Sequence, residues 1–238
     1  MTLDGLDDAA IEARVWSLLC DDAGWDDCEP GERDHDVGWV SIARDVVEPA
    51  HAESAPFAAR IVVGSFQDPS AGSRGSNDRR EWLVVRDGAH ALAGVIRADH
   101  ATETMDCAPS ETRFEWADLV PGGAPELLVD ARSCSVDQSG CGDGGSDERV
   151  IVVCAASPLR CVSVPVQDDS SYTEYEGCDG MYDSVVTSEQ YDGYRMDVEI
   201  SASALTLRPT RGTPPIRTPI GTTPFAALLA REDLRWGR

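Results

Sequence analysis

The side chains with the most chemical potential are the cysteines and histidines, and their spacing excludes more than it permits. Eight cysteines occur, at Cys20, Cys28, Cys107, Cys134, Cys141, Cys154, Cys161 and Cys178. They form no C-x-x-C, and none of His35, His51, His90 and His100 lies within three residues of one. Zinc-finger and zinc-ribbon sites need closely spaced thiolate and imidazole ligands, so neither is encoded. An even count at irregular spacing fits disulfides formed in an oxidising compartment. The chain begins MTLDGLDDAAIEARVW, with neither a basic nor an apolar leader region. The expectation is an extracytoplasmic protein (periplasm, cell surface or secreted) whose leader has been removed; the alternative is a cytoplasmic chain with free thiols. No H-E-x-x-H, G-x-S-x-G, phosphate-loop or dinucleotide-binding pattern is present. No catalytic residue can be assigned, which leaves a hydrolase only as a reading without named residues.

Recognition chemistry has a more specific signature. All five tyrosines, Tyr172, Tyr175, Tyr182, Tyr191 and Tyr194, fall within residues 168–194, together with eight acids and no arginine. Tyrosine offers rigid amphipathic contact area at low entropic cost. The surrounding carboxylates favour a cationic partner and speed its approach. The competing expectation is a long acidic connection whose tyrosines lie over the edge of the core. Connections of this length are uncommon unless they are functional or disordered.

Two acidic loops raise the question of a cation. WADLVPGGAPELLV (116–129) resembles a single FG-GAP repeat, the calcium-loop-plus-strand unit of integrin-like propellers. Asp118 falls on the first ligand of that pattern, Gly123 on the turn glycine, Pro125-Glu126-Leu127 on the exit and Val129 on the strand. The resemblance implies a tight loop feeding a buried strand, with Asp118 and Glu126 as calcium candidates. The second and third ligand positions fall on Val120 and Gly122, which have no side-chain oxygen, and calcium wants about 6–8 oxygens. The same residues are also read as a Gly/Pro turn entering a strand. In CGDGGSDE (141–148), Asp143, Asp147 and Glu148 offer carboxylates to a cation or simply decorate a solvated hairpin tip.

Composition narrows the partners. Twenty arginines and no lysine stand against 43 acids, a formal charge of −23. Clustered cations, which nucleic acids and anionic membranes both require, are missing. No stretch reaches the ~20 apolar residues of a membrane helix. Asn77 is the only asparagine. Lysine and asparagine share AT-rich codons, so their scarcity reads as a trace of a GC-rich genome.

The elements that must position these groups follow from periodicity. Ile11, Val15, Leu18 and Leu19 mark one face of an N-terminal helix, interrupted at Arg14, with Asp7 and Asp8 suited to its cap and its positive end. Ile61 to Phe66, EWLVV (81–85), HALAGVI (90–96), 111–117 and Glu126 to Ala131 read as strands, with Asp87-Gly88 as a hairpin signal and 67–80 as a polar loop. RVIVVCAASPLRCVSV (149–164) reads as a hairpin centred on Ser157-Pro158, so residues whose numbers sum to 315 face each other, Cys154 and Cys161 among them. The remaining expected pairs are Cys20–Cys28, Cys134–Cys141 and, by elimination, Cys107–Cys178. Residues 194–208 alternate but change parity, which calls for a bulge or tight turn between 200 and 205. Thr223-Pro224 suits the start of a short helix carrying Phe225, Leu228 and Leu229.

The fold class expected is α+β, β-rich and mainly antiparallel, with an N-terminal helix, an extended Pro-rich C-terminal tail and disulfide staples. Its parts are an acidic helical segment (1–55), a β-rich core (56–208) and a basic Pro-rich tail (209–238). The function expected is a non-enzymatic binding or structural module of the cell envelope, with 168–194 as its recognition face. A calcium-stabilised domain is the alternative; otherwise no cofactor is expected.

Overall fold

The computed structural model describes residues 3–22, 41–51, 53–68, 76–102, 111–139, 142–176 and 185–236. Helix α1 (Asp8–Asp22) opens the chain. Eleven strands follow among the described residues: β1 (Ser41–Val47), β2 (Ala58–Asp68), β3 (Ser76–Asp87), β4 (His90–Thr102), β5 (Thr112–Ala117), β6 (Glu126–Ser139), β7 (Gly142–Ala155), β8 (Arg160–Glu176), β9 (Val185–Ile200), β10 (Ala204–Arg211) and β11 (Gly221–Pro224). A short helix α2 (Phe225–Leu229) and a 3-10 turn (Glu232–Leu234) close it. No helix among the described residues is long and apolar enough to cross a membrane.

All strands join one sheet in the order β1-β2-β3-β4-β6-β7-β8-β9-β10-β11. Every contact is antiparallel except β4 with β6, where only His100↔Ser135 and Ala101↔Val136 pair. That contact is short because β5 occupies the other half of the same β6 edge, Thr112↔Ala131 to Ala117↔Glu126. Phe57, just before β2, packs its ring 4.9 Å from that of Trp116 on β5. These strands are not ladder neighbours, so the sheet folds over on itself and the two meanders share a core.

Three apolar clusters hold this arrangement. The first joins Ile61, Leu83 and Leu92 of β2–β4 to Leu127, Val129, Val152, Cys154 and Cys161 of β6–β8, and takes in Trp236 from the C-terminus. The second lies under α2, with Ile151, Val153, Val162, Val164, Leu205 and Leu207 against Phe225, Leu228 and Leu229. The third packs Ile11, Val15 and Trp16 of α1 on Val62, Trp82, Val84 and Ala93. Each side chain of this size stabilises by about 1.5–3 kcal/mol when removed from water.

Local structure follows the sequence closely in places. Asp7 caps α1, its Oδ1 accepting the Ala10 N–H at 2.8 Å. Trp16 extends the apolar face, while the side chain of Leu19 lies outside what is described. Asp87 pairs with His90, and Gly88 takes φ +58° in the turn between them. Cys154 and Cys161 face each other at disulfide distance. Cys134 is also disulfide-bonded; the side chain of Cys20, and Cys28, Cys107, Cys141 and Cys178, fall outside the described residues. The parity change after Ile200 is a tight turn, closed by the Ser201 N–H donating to the Ala204 carbonyl at 3.0 Å, with Leu205 opposite Ile200.

The structure departs from the sequence reading where polar segments extend strands. Residues 67–68 and 76–80 belong to β2 and β3 rather than to a loop, and 142–148 belong to β7 rather than to a hairpin tip. Ladder hydrogen bonds use the backbone, so they continue past the point where side chains stop being apolar. The final helix begins one residue later than expected, with Pro224 as a cap position that makes no side-chain hydrogen bond.

Candidate functional site

The tyrosine-rich segment is a two-stranded ribbon made by the distal half of β8 and the proximal half of β9. Asp168, where the segment begins, pairs directly with Tyr194, where it ends. Alternation along the strands then sorts its side chains onto two faces. Tyr194 and Tyr172 share a face with Asp168, and Tyr191 lies on the other with Asp169 and Arg195. Tyr182 and the side chain of Tyr175 lie outside the described residues.

The Tyr191 face is open. Tyr191 is 58 % exposed, and the Arg211 guanidinium sits 4.5 Å from the centre of its ring. A cavity of about 310 Å³ lies beside it, lined in part by Ser146, Asp169, Ser171, Arg195 and Arg211. The charge of Arg195 is held by buried Asp169, with the Nε donating to Oδ2 at 3.0 Å, and Gln167 Nε2 donates to Oδ1 at 3.1 Å. Strand β10 ends opposite Arg195, so the outer edge of β9 over 185–194 pairs with no strand among the described residues.

The opposite face borders a second cavity that is open to solvent, with Val95, Glu148 and Asp168 exposed along it. This cavity of about 320 Å³ is lined by Val95, Ile96, Ala131, Val150 and Pro165, with Ser133, Glu148, Asp168 and Tyr194 among its polar groups. Glu148, Asp168 and Tyr194 stand side by side across β7, β8 and β9. Neither carboxylate has an ion-pair or hydrogen-bond partner among the described residues. Burial raises the Glu148 carboxyl above its ordinary range, Asp168 pushes it the same way, and Arg80 opposes both. Burial, with Asp168 next, pushes the Tyr194 hydroxyl up to about 12, while Arg217 opposes the rise.

Two arginines in the same wall have their charges committed. Arg149 makes a paired contact with Asp130, at 2.8 and 2.7 Å. Arg97 bridges Glu81, at 3.1 Å, and Asp99. Glu81 also accepts from Arg79 and, at 2.6 Å, from the Thr112 hydroxyl, and Asp99 accepts the Cys134 N–H. This buried network joins β3, β4, β5 and β6 where the parallel contact forms. Leaving one such charge unpaired costs about 3–5 kcal/mol, so the network fixes the junction.

The residues singled out as calcium candidates are separated. Asp118 is exposed beside the start of β6, and Glu126 is buried there with its Oε2 accepting the N–H groups of Leu119 at 2.9 Å and Val120 at 3.1 Å. Its carboxylate thus holds the 118–123 turn from inside. Asp143 and Asp147 lie on β7 beyond the far end of that hairpin, opposite Gln138 and Cys134. They are four residues apart, about 13 Å along a strand. No group of three or more His, Cys, Asp or Glu close enough for a metal occurs among the described residues. His51 contacts Glu48 at 3.6 Å and His90 contacts Asp4 at 3.5 Å, both exposed.

The juxtaposition of Glu148 and Asp168 was hidden by one residue. The register of the 149–164 hairpin, continued outward, would set Glu148 opposite Gln167. A shift between Arg149 and Val150 inserts Val166 and moves the pairing to Asp168.

What the geometry defines is a folded-over, mostly antiparallel sheet protein with a solvent-facing ribbon and an acidic cavity at its base. No protein-family model, curated protein or solved structure matches the chain.

Proposed function

We propose that this protein is a non-enzymatic binding module of an extracytoplasmic compartment, and that the β8–β9 ribbon is its recognition element. The observation that carries this reading is the state of Tyr191: 58 % exposed, braced by Arg211 and set on a stretch of β9 whose outer edge pairs with no strand among the described residues. Val186, also on that stretch, is 48 % exposed. An open strand edge offers a row of backbone donors and acceptors to an extended segment of another protein, and exposed side chains beside it give selectivity. Glu189 and Asp192 on the same strand favour a cationic segment. The ordered disulfide-bonded cysteines support the compartment.

The test compares wild type with the Tyr172→Ala, Tyr191→Ala double variant, immobilised and exposed to the extracytoplasmic fraction of its source. The expected result is a protein retained by wild type and lost by the variant, with melting temperatures equal to within about 2 °C. A large fall in melting temperature would assign the tyrosines to the core. An unchanged set of retained proteins would remove the ribbon from recognition.

A further inference from the structure

We propose that the 212–220 loop docks on a second copy of this chain, with Ile216 entering the cavity bordered by Val95 and Pro165 and Arg217 meeting Asp168 at its mouth. The contact leaves the Tyr191 face free and does not rest on that face as a recognition element. The loop itself is the first observation. Ile216 is 105 % exposed and Ile220 62 %, and no other large apolar side chain among the described residues is as exposed as Ile216. A single exposed apolar residue is ordinary on a slack loop, but this loop is fixed. The Thr218 N–H donates to the Pro215 carbonyl at 2.8 Å, closing a turn with Ile216 and Arg217 at its tip. Arg231 Nη2 donates to the Arg217 carbonyl at 2.9 Å, and its Nε is held by Asp233 at 2.7 Å. Pro214, Pro215 and Pro219 restrict the backbone further.

Holding the turn in this form has a cost. Thr218 is only 5 % exposed, and its hydroxyl has no hydrogen-bond partner among the described residues. A buried hydroxyl left without a partner is unfavourable, so the fold keeps Ile216 outside against a penalty. An apolar tip already fixed in place loses little entropy when it docks.

The chain carries the complement of this tip on another surface. The open cavity of about 320 Å³ has an apolar wall that includes Val95, Val150 and Pro165, and Val95 is 39 % exposed. That wall suits a branched aliphatic side chain. Asp168 is exposed beside it. Arg80 already acts on the neighbouring Glu148, so Asp168 is the acid that an incoming guanidinium meets. Apolar wall and carboxylate adjoin in the cavity as Ile216 and Arg217 adjoin in the loop. The charge distribution selects a second copy as the occupant. Residues 200–231 hold four arginines and no acid, the longest acid-free run in the chain, so all 43 acids lie outside it. Two copies of charge −23 repel over most of their surfaces and attract where this run meets the acidic remainder.

Analytical ultracentrifugation of the full chain tests this, from micromolar to millimolar protein at about 0.15 M salt, where the Debye length is about 8 Å. The average mass of wild type is expected to rise with concentration above the 25.6 kDa of one chain. Ile216→Ala should weaken the association about ten-fold or more. Ile216→Asp, which spoils the loop, and Asp168→Arg, which spoils the cavity, should each stay monomeric. An equimolar mixture of those two should associate again, because one supplies an intact cavity and the other an intact loop. A wild type that is monomeric throughout, association untouched by either variant, or no recovery on mixing would each overturn the proposal. Both substitutions are at exposed positions, and circular dichroism checks the fold. The wild-type series decides even if Asp168→Arg misfolds. The Tyr172→Ala, Tyr191→Ala protein should associate like wild type, and its failure to do so would assign the contact to the ribbon instead.

Discussion

Glu148 and Glu126 show how one residue type takes opposite roles on the same pair of strands. Glu126 is buried and satisfied, its carboxylate accepting two backbone N–H groups and so closing a turn. Glu148 has no such donors among the described residues and stands beside Asp168, and its carboxyl titrates above its ordinary range through burial first and that neighbour second, against the pull of Arg80. Because its native pKa is raised, its proton favours folding at low pH, and that contribution is lost as pH rises through the native pKa. Glu148→Gln removes the loss. The variant should therefore melt about 1–2 °C above wild type at pH 7, a modest gain because the group is partly solvated, and the gap should close toward pH 4. A variant less stable than wild type by the same margin at both pH values would mean that the carboxylate makes a favourable ionic contact. Asp8 behaves in the other sense. The hydrogen bond from Arg86, with further help from Arg60, holds its carboxyl below the usual range, so its support for α1 is present at neutral pH and fades on acidification.

At the scale of elements, the return of the last residues to β8 and β4 ties the sheet together. The Trp236 N–H donates to the Cys161 carbonyl at 2.9 Å, and Arg235 bridges to Val162 on β8. The indole then lies on Gly94 of β4, where a Cβ would come within 2.6 Å of the ring. One side chain thereby ties the last element to both meanders. Gly94→Ala should cost about 1–3 kcal/mol through overpacking, and Trp236→Ala about 3–5 kcal/mol, both measured by urea unfolding. The double variant should lose less than the sum, because the clash disappears with the indole. Strict additivity would show that the two residues do not share this contact. Among the described residues the ribbon of β8 and β9 has no such cover, and the exposed Tyr172 and Tyr191 set it apart from the strands that build the core.

For the molecule as a whole, the charge of −23 is distributed by the fold as well as by the sequence. The buried acids Glu81, Asp99, Glu126 and Asp169 are each engaged by arginines or backbone donors, so they do not contribute to an unscreened field. The basic C-terminal segment packs on its own chain, Arg160 donating to the Leu229 carbonyl and pairing with Glu232. The cysteines described in full are disulfide-bonded. Alkylation of the denatured, unreduced protein should therefore leave its intact mass unchanged. Eight added alkyl groups would remove the reason for placing it outside the cytoplasm.

The sequence by itself determined the local elements: the stripe of α1, the Asp87-Gly88 turn, and the facing of Cys154 and Cys161, because each depends on neighbours a few residues apart. It also marked the tyrosine segment as unusual, through composition alone. The tertiary structure decided how far polar strands extend, since backbone ladders do not register in hydropathy. It decided that Tyr172 and Tyr194 share a face while Tyr191 takes the other. It decided, through a single inserted residue at Val166, that Glu148 meets Asp168 rather than Gln167. Register errors accumulate along long ladders, and the cavity depends on β4 coming to β7–β9 across a folded sheet, so no local pattern in the chain could have located it.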